Sequence, residues 1–202
     1  MEQLALMGLL AFLIMLLFRV AAEGTVIPVG TALWVTLIFV VTGGLGRSFH
    51  AEADHRTLDL LLASPASPAS LYLSKVFSSL VVAGAGAAAS VVVAALFFGP
   101  GFARDPLALA LFLILGCVGL AALAAFFSAL SARAPARTAL FPVLVIPLAV
   151  PLMLWAARGT VEASLGVPMS DPLVAVNLAY LAAYDTLFVA LFAFLAPRAL
   201  AS

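Results

Sequence analysis

The sequence predicts an all-α, polytopic membrane protein: six transmembrane helices, with a further cytoplasmic helix between the second and third spans. Three observations carry this expectation. Of 202 residues, 66% are hydrophobic and 9% charged, with a mean hydropathy of +1.27, more apolar surface than one soluble core can enclose. The apolar residues gather into six runs, each able to cross roughly 30 Å of hydrocarbon at about 1.5 Å per residue. One long polar stretch interrupts them, Arg47 to Lys75, RSFHAEADHRTLDLLLASPASPASLYLSK. Residues 1–202 are therefore read as a single membrane-spanning domain.

The first run, Leu4 to Ala21, is near the lower length limit for a span. Only Glu2 precedes it as a charge, and Arg19 follows the apolar core without a small-residue cleavage pattern, so it reads as a retained span rather than a leader. The second run is Ile27 to Gly46. In the third, Ser70 to Phe98, and the fourth, Pro106 to Ser131, small residues at Gly84, Gly86, Ala88, Ser90, Gly116 and Gly119 allow close backbone approach. Cys117, the single cysteine, forms no intrachain disulfide and reads as a small packing residue.

The fifth run, Thr138 to Ala157, contains Pro142, Pro147 and Pro151. Each removes an amide donor and is expected to bend the helix, as a packing solution or as a gate. The sixth run, Leu173 to Leu195, holds the intramembrane polar candidates. Asn177, Tyr180 and Tyr184 fall at i, i+3 and i+7 on one helical face, with Asp185 beside them. A carboxylate there costs a few kcal/mol on insertion scales, so it is expected to face the bundle. A functional role and a purely stabilising hydrogen bond both stay open.

Orientation follows from the basic residues. Six of nine (Arg47, Arg56, Lys75, Arg133, Arg137 and Arg198) fall in the second loop, the fourth loop and the C-terminal tail, against Arg19, Arg104 and Arg158 elsewhere. Both termini and the Arg47 to Lys75 stretch are thereby expected on the cytoplasmic side.

The absent chemistry narrows the function. A net charge of zero offers no basic field for nucleic acid. The sequence has no GxxxxGK[ST], HExxH, GxSxG or CxxC, and no nucleophile set beside a base. His50 and His55 lie five apart, off the i, i+4 spacing of paired helical metal ligands, and read as solvated or partner-facing. No catalytic or metal residue is assigned.

The polar stretch itself is patterned. From Ser48 to Leu62, Phe49, Leu58, Leu61 and Leu62 are apolar anchors beside Glu52, Asp54, Arg56 and Asp59. A helix lying on lipid would favour a Lys/Arg-rich polar face; this mixed, slightly acidic one favours a protein partner. Pro65 and Pro68 then end the segment before the third span.

The run DHRTLDLLLASP (Asp54 to Pro65), followed by LYLSK (Leu71 to Lys75), resembles the corresponding segment of exporter-type ABC permeases. More closely, the chain resembles the CcmB family, the heme exporter B permeases of system I cytochrome c maturation. The likeness continues in Leu33-Trp34, Arg47-Ser48-Phe49, FPVLVIPLAVP (Phe141 to Pro151) and YDTLF (Tyr184 to Phe188). Arg56 departs from it, standing where the family usually has glycine.

The resemblance implies a non-catalytic permease subunit of the bacterial inner membrane, with two copies per complex. It implies that Phe49, Glu52, Asp54, Arg56, Leu58, Asp59, Leu61 and Leu62 form the ATPase-coupling segment. The implied partners are a cytoplasmic ABC ATPase of the heme exporter A type, which binds ATP, the C and D membrane subunits, and the heme chaperone E. No cofactor is expected to reside in this chain, and heme enters as a transported or handled ligand. The alternatives are an ABC permease for a lipid or drug, a proton-driven secondary transporter using Asp185, and a structural membrane scaffold. Prolines clustered in one span, rather than broken helices in both halves, speak against the secondary transporter.

Overall fold

A computed structural model describes residues 2–22, 28–54, 68–131 and 141–201. These form six α-helices: α1 Glu2–Ala21, α2 Val29–Asp54, α3 Pro68–Phe98, α4 Pro106–Ser131, α5 Phe141–Leu165 and α6 Pro172–Ala201. One 3-10 turn, Pro100–Phe102, follows α3, and there is no strand among the described residues. Within them, Leu4–Ala21, Tyr72–Phe98, Pro106–Phe127 and Pro172–Leu195 are long and apolar enough to cross a membrane. Among the described residues α2 contributes a shorter apolar helix, Val29–Thr42, and α5 carries Arg158 and Glu162 in its C-terminal half.

Two connections at one end of the bundle are built alike. Gly99 ends α3 with φ 78° and Gly166 ends α5 with φ 76°, left-handed conformations that glycine adopts without a Cβ clash. Each connection then closes on an Asp-Pro pair. Pro106 and Pro172 open α4 and α6, where the missing amide is no loss. Asp105 Oδ1 accepts from the Ala108 amide at 3.0 Å, and Asp171 Oδ1 from the Leu173 amide at 2.8 Å, capping otherwise unpaired donors. The two connections also meet, since the Asp105 amide donates to Ala163 O at 3.2 Å.

The core is a helix-on-helix interface around α4, which packs against α3, α5 and α6. It buries Phe112, Leu120, Leu123 and the alanines between 121 and 125. α2 supplies the largest buried side chain, Trp34, only 1% exposed. Its indole lies directly over Gly116 of α4, in space any Cβ there would fill, and its Nε1 donates to Thr160 Oγ1 of α5 at 2.9 Å. Three helices are thus tied at one point. Around this core Leu9, Leu17, Phe77, Leu96, Leu107 and Phe194 point outward, the apolar exterior of a protein whose solvent is lipid.

The helices extend beyond the apolar runs. α2 continues as helix through Arg47 to Asp54. α5 runs beyond Ala157 to Leu165, so Arg158 sits within a helix rather than in a loop. Pro142 is the second residue of α5 as described. Pro147 and Pro151 do lie inside the helix, both on its exposed side. In α3 the inward stripe is Ala83, Gly86, Ala87 and Ser90, whereas Gly84 and Ala88 face outward.

The Trp34 contact is testable. Gly116→Ala is expected to destabilise the protein by about 1–3 kcal/mol through overpacking. Gly84→Ala, with nothing within 4 Å of the added carbon, serves as the neutral control. Thermal unfolding in detergent should separate the two variants.

Candidate functional site

The polar side chains of α6 divide between two places. The inward face of this helix is Asn177, Leu181 and Asp185, spaced i, i+4 and i+8, all buried. The sequence reading set Asn177 with Tyr180 and Tyr184. Tyr180 instead is 53% exposed and stacks on Trp155 of α5 at 4.5 Å, and Tyr184 is half-buried.

Asp185 sits near the middle of the Pro172–Leu195 span and is 6% exposed. It faces α4 at Gly119. A Cβ on Gly119 would lie 2.5 Å from Asp185 Oδ1 and 2.5 Å from a methyl of Leu152. Gly119 therefore leaves room for the carboxyl. Among the described residues neither oxygen of Asp185 has a hydrogen-bond partner, a costly condition for a polar group this deep in an apolar bundle.

Tyr184, the preceding residue, turns to α5 and donates its hydroxyl to Leu148 O at 2.6 Å. That carbonyl lies between Pro147 and Pro151, in the stretch where proline interrupts the amide ladder. Tyr184, Asp185, Gly119 and the proline stretch of α5 thus form one intramembrane cluster.

The second place is nearer the end of the bundle that carries the Asp-Pro caps. Asn177 Nδ2 donates to Glu162 Oε2 at 2.7 Å, joining α6 to α5. Arg158, one turn before Glu162, lies over the Trp155 ring at 5.5 Å from its centroid. Sequence reasoning missed this group because Arg158 was assigned to a loop. The signal was present in the spacing: Trp155, Arg158 and Glu162 at i, i+3 and i+7 form one helical face.

The structure brings the remaining candidates together only in part. Phe49, Glu52 and Asp54 lie on the C-terminal extension of α2. Arg56, Leu58, Asp59, Leu61 and Leu62 fall outside the described residues, as does His55. No group of three or more His, Cys, Asp or Glu side chains suited to a metal ion occurs among the described residues.

Helices that are apolar outside and joined by small residues inside define a multi-pass, all-helical membrane protein. The family profile described as CcmB protein matches residues 3–202. The chain belongs to the CcmB family, a family of membrane permease subunits that serve heme export in cytochrome c maturation. No curated protein and no solved structure gives a significant match.

Asp185 makes no hydrogen bond among the described residues, so its variants separate function from folding. Asp185→Asn, which keeps the shape but cannot ionise, is expected to leave the yield and melting temperature of the purified protein unchanged. Cytochrome c maturation should fall by about tenfold or more, the scale of a lost coupling free energy. Normal maturation in both Asp185→Asn and Asp185→Leu would show that the carboxyl has no functional part.

Proposed function

We propose that the chain is the permease subunit of an ABC complex in the bacterial inner membrane, transmitting ATP-driven motion into the membrane during heme export for cytochrome c maturation. A separate cytoplasmic ATPase of the heme exporter A type hydrolyses ATP. The C and D membrane subunits and the heme chaperone E complete the system, and two permease copies serve each complex. The chain crosses the membrane six times, with both termini and the Arg47 to Lys75 stretch in the cytoplasm.

The observation that carries this reading is α2. It is anchored in the core by Trp34 and continues as helix to Asp54, about 12 Å beyond Gly46, where its apolar run ends. An ATPase can drive a membrane body only if the piece it grips makes different contacts in different states and is joined mechanically to the rest. α2 links the coupling segment, Ser48 to Leu62, to the helix junction at Trp34. Leu58, Leu61 and Leu62 are the anchors, and Asp59 pairs with a basic residue of the ATPase. Motion reaching Trp34 passes to α4 and α5, and from them to the Tyr184–Asp185 cluster. The two histidines, His50 and His55, both lie in the polar stretch and neither in an apolar run, which favours transmission of motion over heme ligation by this chain.

Interfaces concentrate binding energy in a few desolvated side chains, so the apolar anchors should outweigh rim charges such as Glu52. Leu58→Ala/Leu61→Ala is expected to insert normally, since neither residue lies in an apolar run, and to weaken ATPase co-purification by about tenfold or more. Cytochrome c maturation should fail in parallel, with heme-loaded chaperone accumulating. Wild-type ATPase binding and normal maturation in this variant would remove the segment from the coupling route.

A further inference from the structure

Between α2, α5 and α6 the bundle leaves a laterally open cleft of about 770 Å³. Its rim is apolar and outward-facing: Val150, Leu154, Leu173 and Val176 are each more than two-fifths exposed. Trp34 and Trp155 also line it, and its charged groups are Arg158 and Glu162 of α5. Glu162 is half-buried and held by Asn177, whereas Arg158 is exposed, rests on Trp155, and makes no ion pair among the described residues.

Depth gives these charges an order. The end of α5 lies beside the Asp-Pro caps, whose charged Asp105 and Asp171 mark the polar boundary at this end of the bundle. Arg158 is seven residues inward of Leu165, about 10 Å along the axis, and Glu162 is one turn further out. A guanidinium at this depth needs an anion, because leaving it unpaired in an apolar medium costs a few kcal/mol. The residues inward of it, Val150 and Leu154, offer only an apolar track.

A cation with an anion one turn outward is the complement of a zwitterionic phospholipid. In such a lipid the phosphate lies nearer the acyl chains and the ammonium lies outward. A purely anionic lipid would satisfy Arg158 but would bring no cation to Glu162. We infer that this cleft is a binding site for a zwitterionic phospholipid, its phosphate on Arg158, its ammonium on Glu162 and an acyl chain along Val150 and Leu154. The site is separate from the Asp185 cluster and does not depend on the coupling role of α2.

The test is native mass spectrometry of the full chain, delipidated in detergent and titrated with phosphatidylethanolamine and with phosphatidylglycerol of the same acyl chains. The wild type should bind the ethanolamine lipid about tenfold more tightly, the effect of one charge-assisted contact. Arg158→Gln should weaken both lipids by a similar factor. Glu162→Gln keeps an acceptor for Asn177 and should erase the preference between the two lipids. Equal affinity in the wild type, or an unchanged preference in Glu162→Gln, would overturn the inference. So would displacement of bound lipid from the wild type, but not from Arg158→Gln, by a porphyrin dicarboxylate, because the cleft would then belong to the cargo. If Arg158→Gln is not recovered as a monodisperse protein, the lipid preference of Glu162→Gln decides alone.

Discussion

The bundle depends on the seating of Trp34 against Gly116. In lipid no hydrophobic force draws helices together, so association rests on close packing and on polar groups that pair between helices. The Trp34 junction supplies both. The bare backbone of α4 at Gly116 admits the full indole face, and the indole N–H finds Thr160 on α5. The position of α2 is set there, and with it the direction in which its polar extension leaves the bundle. The Gly119 notch for Asp185 lies one turn along the same helix, so one face of α4 positions both the anchor of α2 and the intramembrane acid of α6.

Much of this architecture was legible because lipid imposes a simple rule: backbone polar groups pair within helices, and outward side chains are apolar. The runs at Leu4 to Ala21, Pro106 to Ser131 and Leu173 to Leu195 accordingly lie close to the observed α1, α4 and α6. Helicity and hydropathy part company in α2 and α5, which continue through charged residues, α2 past Arg47 to Asp54 and α5 past Arg158 to Leu165, so the apolar runs do not mark the helix ends. Small-residue composition showed that α3 packs closely. It did not show which face packs, because Gly84 and Gly86 are alike in sequence while only Gly86 is buried.

The polar sites were less legible for a related reason. Helical spacing alone grouped Asn177 with Tyr180 and Tyr184, but the neighbours of α6 decide which of these turn inward. α4 receives Asp185 because Gly119 leaves space, and α5 receives Asn177 because Glu162 offers an acceptor. The partner residues Glu162 and Leu148 both belong to α5, the helix whose extent was misjudged. Placing that helix correctly brings the two polar groups of α6 into contact with it at two depths.

In the proposed coupling α2 acts as a lever with its fulcrum at Trp34, and it must then move as one piece. The most direct measurement is the distance between spin labels at Phe39→Cys and Glu52→Cys in a Cys117→Ala background, taken by pulsed electron resonance in the assembled complex. The backbone separation for an unbroken helix over these 13 residues is about 20 Å. The account predicts a narrow distribution near that value, the same with the ATPase empty and with nucleotide trapped. A broad distribution, or a distance that shortens when nucleotide is trapped, would contradict it.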